Sequence, residues 1–288
     1  MSQSPVAILA GTGSLPLLAA KKFKQRDRRV NLYSLTSTPH PELHEVVDHF
    51  NMVEPERFGT VPRMLSEDGV KEVLLVGDVD KKKIFDQKVH ENADAAVKRQ
   101  LDKLKDKGDD EIIRAAARML KFRGLRVLGV NEILADQLTP AGHIAGPEPS
   151  EYCLATLTKL SSLAVKLVDE EVGQAVTGKE QTVVAVEGVE GTSQLIRRSS
   201  RLAGDGLVLL KIARSSQDYR FDVPVVGLET VRLLTQASAD LLAVEADVTL
   251  FLQQDECFQL AEENELSIMG WQRPSTSVFG RLKKWFVG

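Results

Sequence analysis

The chain begins with an apolar run, Val6-Ala-Ile-Leu-Ala10, that breaks at Gly11-Thr-Gly13 and resumes as Leu15-Pro-Leu-Leu-Ala-Ala20. A short unbroken apolar run is the pattern of a strand buried on both faces, and the spacing after the glycines is helical. A strand of that kind needs helices over both faces of its sheet, which is the geometry of parallel βαβ units. The pattern recurs, with strands predicted at Val30–Leu35, Val73–Val76 and Val127–Val130. Before the last of these, Gly108-Asp109-Asp110 precedes the stripe Ile112, Ile113, Ala116, Met119 and Leu120, and Gly124 follows it. An acidic N-cap, a 3.6-residue period and a glycine stop predict a helix there.

From Leu138 to Pro149 the text is Thr-Pro, Ala-Gly, Gly-Pro and Glu-Pro with few large apolar residues, the composition of a linker. A helical stripe follows (Cys153, Leu157, Leu160, Ala164, Leu167), then strands predicted at Thr182–Val186, Leu207–Ile212, Val223–Val226 and Leu241–Val244. The expected organisation is α/β in two domains: 1–138 with a parallel sheet, a linker at 139–150, an α/β half at 151–271 and a tail at 272–288. No internal repeat or low-complexity tract interrupts it.

Composition removes several classes. Hydrophobic residues are 43% and charged residues 27% of 288, which is globular rather than disordered usage. The formal charge of −4 argues against a general nucleic-acid partner. Two cysteines, Cys153 and Cys257, make neither a disulfide framework nor a four-Cys zinc site and are expected as free thiols. The first ten residues have no basic n-region, and no apolar run approaches the ~18 residues of a membrane span. The expected location is cytoplasmic, unless the protein lies on a membrane surface.

Four groupings carry chemistry. Gly11-Thr12-Gly13 joins a strand to a helix N-terminus, where N–H groups hold phosphates; the alternative is that the glycines only allow close strand–helix packing. Pro16 stands where a dinucleotide fingerprint has its third glycine, and Leu35-Thr-Ser-Thr38 lacks the acid that would take a ribose, so nicotinamide binding is not expected. His40, His44 and His49 have spacing close to a metal pair, but Pro39 and Pro41 interrupt any helix, so solvated loop histidines are expected. Glu187-Gly-Val-Glu190-Gly191-Thr192 puts carboxylates and an N-capping hydroxyl at a strand's carboxyl end, with Arg197 and Arg198 in the helix that follows; the alternative is a capped helix with solvated arginines. Finally, Lys211, Arg214, Asp218, Arg220 and Asp222 lie in one polar stretch between apolar runs. Cations neutralise phosphate oxygens, and paired carboxylates suit a hard dication that bridges them.

Ala10-Gly11-Thr-Gly13-Ser-Leu15-Pro16, Lys107-Gly-Asp-Asp110, Gly173-Gln174, Val186-Glu187 with Glu190-Gly191-Thr192, and Gln217-Asp-Tyr-Arg-Phe-Asp222-Val-Pro224 together resemble the LpxI-type UDP-2,3-diacylglucosamine pyrophosphatases. The resemblance runs over residues 5–271. It implies a Rossmann-like N-terminal half, an α/β C-terminal half, and metal-dependent cleavage of UDP-2,3-diacylglucosamine to UMP and 2,3-diacylglucosamine 1-phosphate in lipid A synthesis. Asp222 takes the place of the family's essential aspartate and is expected to be catalytic. Asp222 with Asp218 would hold Mg²⁺. Gly11, Thr12, Gly13, Asp109, Asp110, Gln174, Glu190, Gly191, Thr192, Arg197 and Lys211 are the expected substrate-binding residues, with helix capping as the other role for Asp109 and Asp110.

This chain departs from the family pattern at Thr12, where the family has a small glycine, at Asp78, where it has Asn, and at Arg214-Ser215-Ser216, where Lys-Pro is frequent. Two competing functions are a nucleotide- or sugar-nucleotide-binding enzyme of other chemistry and a non-catalytic lipid-binding protein. Beyond the lipid substrate and product, the expected partners are the inner face of the cytoplasmic membrane and a second copy in a homo-oligomer. The tail interleaves Val278, Phe279, Leu282, Trp285 and Phe286 with Arg281, Lys283 and Lys284, an amphipathic basic pattern suited to an anionic surface.

Overall fold

The computed structural model describes residues 4–79, 91, 98–99, 109–214 and 218–274. The chain divides into two compact units: residues 1–135 with 218–223, and residues 136–217 with 224–288.

The first unit contains β1 (Val6–Ala10), α1 (Leu15–Gln25), β2 (Val30–Ser34), α2 (Leu43–Val46), β3 (His49–Met52), α3 (Val61–Glu67), β4 (Glu72–Val76), α4 (Asp109–Phe122), β5 (Arg126–Leu128) and α5 (Val130–Ile133). Its sheet is five-stranded, in the order β3-β2-β1-β4-β5, with all pairings parallel. Every residue of β1 and β2 is buried, as strands covered on both faces must be. Pro16 lies in the first turn of α1, where its missing N–H is of no consequence, and Leu17, Ala19, Ala20 and Phe23 form the buried stripe. The order reverses between β1 and β4, which makes a topological switch point, the place where doubly wound sheets bind ligands.

The histidine expectation needs correcting. His49 begins the edge strand β3, and His44 on α2 stacks on Phe50 with ring centroids 3.7 Å apart. These two histidines are solvated as expected, both being exposed, but they are held in secondary structure rather than in a loop.

The second unit contains β6 (Gly142–Ala145), α6 (Glu151–Asp169), β7 (Ala175–Lys179), β8 (Thr182–Val186), α7 (Gly191–Ala203), β9 (Val208–Lys211), β10 (Val225–Val226), α8 (Leu228–Gln236), β11 (Leu241–Glu245), β12 (Leu250–Phe251), α9 (Gln254–Glu263) and β13 (Ser267–Trp271). Its six-stranded sheet runs β6-β13-β11-β9-β7-β8, with a parallel centre and antiparallel margins. Leu157, Leu160, Ala164 and Val168 of α6 pack with Leu210 and Ala243 in one apolar cluster. Ile196 of α7, Leu234 of α8 and Ala261 of α9 pack with Leu209 and Val244 in another. Ser150 caps α6, its hydroxyl accepting from the Cys153 N–H at 3.2 Å. The β7–β8 hairpin turns on Glu180 and Gln181, both with positive φ, the twist that a two-residue hairpin loop requires.

Two boundaries differ from the sequence expectation. A stretch of the expected linker is β6, an edge strand antiparallel to β13. Gly146, directly after it, allows close approach rather than flexibility: a β-carbon there would lie 2.0 Å from the Leu266 carbonyl oxygen. Residues 218–223, expected in the C-terminal domain, belong with the first unit. Both cysteines are free and buried.

Candidate functional site

One group of candidate residues lies at the switch point. The loops after β1 and β4 are joined by a β-bridge between Thr12 and Asp78, each N–H donating to the other's carbonyl (2.8 Å from Thr12, 3.3 Å from Asp78). The Gly11 N–H donates to Val76 at 2.9 Å. Two of the N–H groups expected to take a phosphate are therefore already used, and the glycines serve close packing: a β-carbon on Gly11 would sit 2.2 Å from the Asp78 oxygen. Gly13, with φ of +95° and open space where a β-carbon would go, remains at the mouth of α1. An anion here has only the N–H groups beyond Thr12, at the positive end of the helix.

Another group lies on the segment that returns to the first unit. Phe221 and Asp222 both donate their N–H to the Asp218 carbonyl, at 2.9 and 3.0 Å. The Arg220 guanidinium grips the Asp218 carboxylate with Nε at 2.9 Å and a terminal nitrogen at 2.7 Å, and lies 5.0 Å from the Phe221 ring centroid. Burial pushes the Asp218 pKa up, but the Arg220 hydrogen bonds and charge, with Arg114 of α4, outweigh it and hold the pKa below the ordinary value. The carbonyl of Arg220 accepts from the Val130 N–H at 2.9 Å, fastening the turn at the carboxyl end of β5. Asp222, half-buried, follows directly.

The remaining group belongs to the second unit and gathers at the amino end of β7, the carboxyl ends of β8 and β9, and the start of α7. Glu187 is 9% exposed. One of its oxygens accepts from the Thr192 hydroxyl at 2.7 Å and the other from the Gln174 N–H at 2.9 Å. Lys211 donates from Nζ to the same Thr192 hydroxyl at 3.1 Å. Burial holds the Lys211 pKa below the ordinary lysine value, opposed by the charge of Glu187. Glu190 accepts from Arg198 at 2.6 Å and from the Gly188 N–H at 3.1 Å, and Arg198 also donates to the Val186 carbonyl at 2.9 Å. Arg197 is exposed on α7.

Gln174, Glu190, Gly191, Thr192 and Lys211 are thus brought to one end of one sheet. Asp218, Asp222 and Gly11–Gly13 belong to the other unit. The side chains of Asp109 and Asp110 lie outside the described residues, and α4 begins at Asp109. Glu187 is not among the expected binding residues. Its position at the end of an apolar strand is visible in the sequence, but its hydrogen bond to Gln174 joins chain positions that no local pattern connects.

As a magnesium site, the expected pair fits incompletely. Both Asp218 oxygens accept from Arg220, so a cation would compete with a guanidinium there. Asp222 offers a hard carboxylate, and Mg²⁺ often uses one or two protein carboxylates, taking the rest of its shell from water and substrate phosphates. Among the described residues there is no cluster of three or more His, Cys, Asp or Glu able to hold a metal.

The LpxI N-terminal domain matches residues 5–137 and the LpxI C-terminal domain residues 140–269. The chain belongs to the LpxI family. A relative from Caulobacter vibrioides, named UDP-2,3-diacylglucosamine pyrophosphatase LpxI, is 24% identical over 92% of this chain and 96% of its own length. Among solved structures, an L-threonine dehydrogenase from Phytophthora infestans is similar over 43% of this chain at 14% identity, with a TM-score of 0.26. The chain spans 34% of that structure's length, and at this TM-score the likeness carries no argument about function.

Proposed function

We propose that this LpxI-family chain hydrolyses the pyrophosphate bond of UDP-2,3-diacylglucosamine, giving UMP and 2,3-diacylglucosamine 1-phosphate. The observation that carries this reading is the carboxylate Asp222, held on a hydrogen-bonded turn at the carboxyl edge of a doubly wound sheet. The name of the Caulobacter relative supports the substrate.

In this reading Asp222 orients the attacking water or holds Mg²⁺, which when bound would polarise a phosphate oxygen as a Lewis acid. Arg220 and Asp218 fix the turn that presents Asp222. Lys211 offsets negative charge building on the pyrophosphate oxygens, and the first main-chain N–H groups of α7 receive a phosphate oxygen. Arg197, exposed, contributes to the approach of an anion rather than to its fixed binding.

The deciding experiment is incubation with UDP-diacylglucosamine in Mg²⁺ and in EDTA, scoring UMP. The expected result is UMP release in Mg²⁺, lost in EDTA, and lost in Asp222→Ala with the melting temperature retained. Tight binding of the lipid product without UMP release would replace this reading with that of a lipid-binding protein. Absorbance changes with NAD(P)H would point to other chemistry.

A diacylated substrate is met at a membrane. Among the described residues no helix is long and apolar enough to cross one. The basic aromatic stretch 278–286 lies outside the described residues, and its pattern supports peripheral contact with an anionic surface. Removing residues 275–288, which leaves Arg273 on Glu245, should abolish co-sedimentation with anionic liposomes, and unchanged co-sedimentation would discard that role.

A further inference from the structure

Glu187 is nearly excluded from solvent and yet receives no hydrogen bond from the cation nearest to it in charge. Its Oε1 takes the Thr192 hydroxyl proton, and its Oε2 takes the Gln174 N–H. A hydroxyl has one proton. With that proton given to Glu187 at 2.7 Å, the Thr192 oxygen presents lone pairs, and Lys211 donates to it at 3.1 Å. The donor order is therefore fixed as Lys211 to Thr192 to Glu187.

We infer that Glu187 is a positioning residue: acting through the Thr192 hydroxyl, it aims the Lys211 side chain and keeps it an ammonium for contact with an anionic substrate. This deepens the reading of Lys211 as a pyrophosphate-binding group and rests on it.

The surroundings make Glu187 the group that matters. Lys211 pairs across the sheet with Ala175 on β7 and Val244 on β11, both uncharged. Among the described residues, the carboxylates Glu190, Glu229 of α8 and Glu245 bond to Arg198, Ser193 and Arg273 respectively rather than to Lys211. Burial alone would drive Lys211 toward the neutral amine. The charge of Glu187 opposes this, and the hydroxyl relay converts that charge into a direction for the side chain.

The test uses the full chain and two independent readouts. The first is ¹³C NMR of lysine side chains, with the Lys211 resonance identified by its loss in Lys211→Arg. In Glu187→Gln, Lys211 should titrate at lower pH than in the unaltered protein. In Thr192→Val its resonance should move, and in Thr192→Ser it should stay.

The second readout is UMP release. Glu187→Gln and Thr192→Val should each lower kcat on the order of tenfold, less than the ~10²-fold typical of deleting a direct charge-stabilising donor. The double variant should be no worse than the poorer single variant, because both break one relay. Thr192→Ser should stay within a few-fold of the parent. An unchanged Lys211 titration in Glu187→Gln, or losses that multiply in the double variant, would overturn the inference. If the unaltered protein releases no UMP, the proposed reaction falls, while the NMR titration still decides whether the relay exists.

Discussion

The main-chain N–H of Val130 donates to the carbonyl of Arg220 at 2.9 Å, joining chain positions 90 residues apart within one compact unit. Residues 218–223, the end of the polar stretch expected to carry the chemistry, are thereby fastened to the end of a strand in the N-terminal sheet, although the sequence on either side of them builds the C-terminal one.

The clasp between Arg220 and Asp218 should therefore matter more for turnover than for stability. Arg220 is 44% exposed, and pairs of that exposure contribute below about 1 kcal/mol. Arg220→Met should leave the denaturation midpoint nearly unchanged while lowering kcat on the order of tenfold, because the turn bearing Asp222 loses its brace. Parallel urea titration and UMP assays would check this. Equal and small effects on both would mean that the turn holds without its ion pair.

The glycines of the switch point should rank by space rather than by number. A β-carbon on Gly11 meets the Asp78 oxygen at 2.2 Å, and one on Gly77 meets the Thr12 oxygen at 2.6 Å with φ at +91°. Gly13 has φ of +95° but nothing within 4 Å. Gly11→Ala and Gly77→Ala must push the bridged loops away from each other and should destabilise by about 2–4 kcal/mol. Gly13→Ala carries only left-handed strain, about 1 kcal/mol. Thermal melts of the three variants would show the order.

Much of this fold is legible in the hydrophobic period, and the exceptions have physical causes. β1, β2, β4, β5, β8, β9 and β11 are apolar runs, and each lies within a few residues of where its run predicts a strand. β3 escapes that reading because His49–Met52 is a polar edge strand with no apolar run. β7 escapes it because Gly178 interrupts the strand, and that glycine is there because Leu160 of α6 packs against it, with a β-carbon falling 2.8 Å from Leu160 Cδ2. β6 reads as a linker because close backbone contacts select the same residues as flexible loops. At the site, Thr192 and Lys211 follow from residue type. The return of residues 218–223 to the first unit does not, since no local pattern encodes which body a loop joins.

A half-buried ion pair fixes the exit of three strands in the second unit. Arg273, after β13, donates to both oxygens of Glu245 at 2.8 Å and to the Ala213 carbonyl at 2.7 Å, while the Ala213 N–H donates to Glu245 at 2.9 Å. Glu245 has a side chain 9% exposed. Glu245→Ala would remove the acceptor of the Ala213 N–H and the carboxylate facing Arg273, destabilising by about 2–3 kcal/mol. Replacing both partners, Glu245→Met with Arg273→Leu, should recover some of that loss, because no charge is left uncompensated. Chemical denaturation of the single and double variants would measure the difference, and a double variant worse than Glu245→Ala would mean that the pair does more than neutralise itself.

Acid sensitivity should trace in some measure to Asp48. Its carboxylate takes both close contacts from Lys24 at 2.9 Å and the Val30 N–H at 2.7 Å. Burial would raise its pKa, but the Lys24 hydrogen bonds, the Val30 N–H and the charges of Lys24 and Arg29 outweigh burial and hold it below the ordinary 3.8. With the folded pKa depressed, the unfolded chain binds the proton more readily. The stabilisation is thus fully present above the ordinary Asp range and is lost as pH falls through the lower folded value. Asp48→Asn should cost below about 1 kcal/mol at pH 7, as the pair is exposed and screened, and the gap to the parent should close in acid. Urea denaturation at pH 7 and at successively lower pH would record it; a gap that persists unchanged into strong acid would assign the effect to the lost hydrogen bonds rather than to the charge.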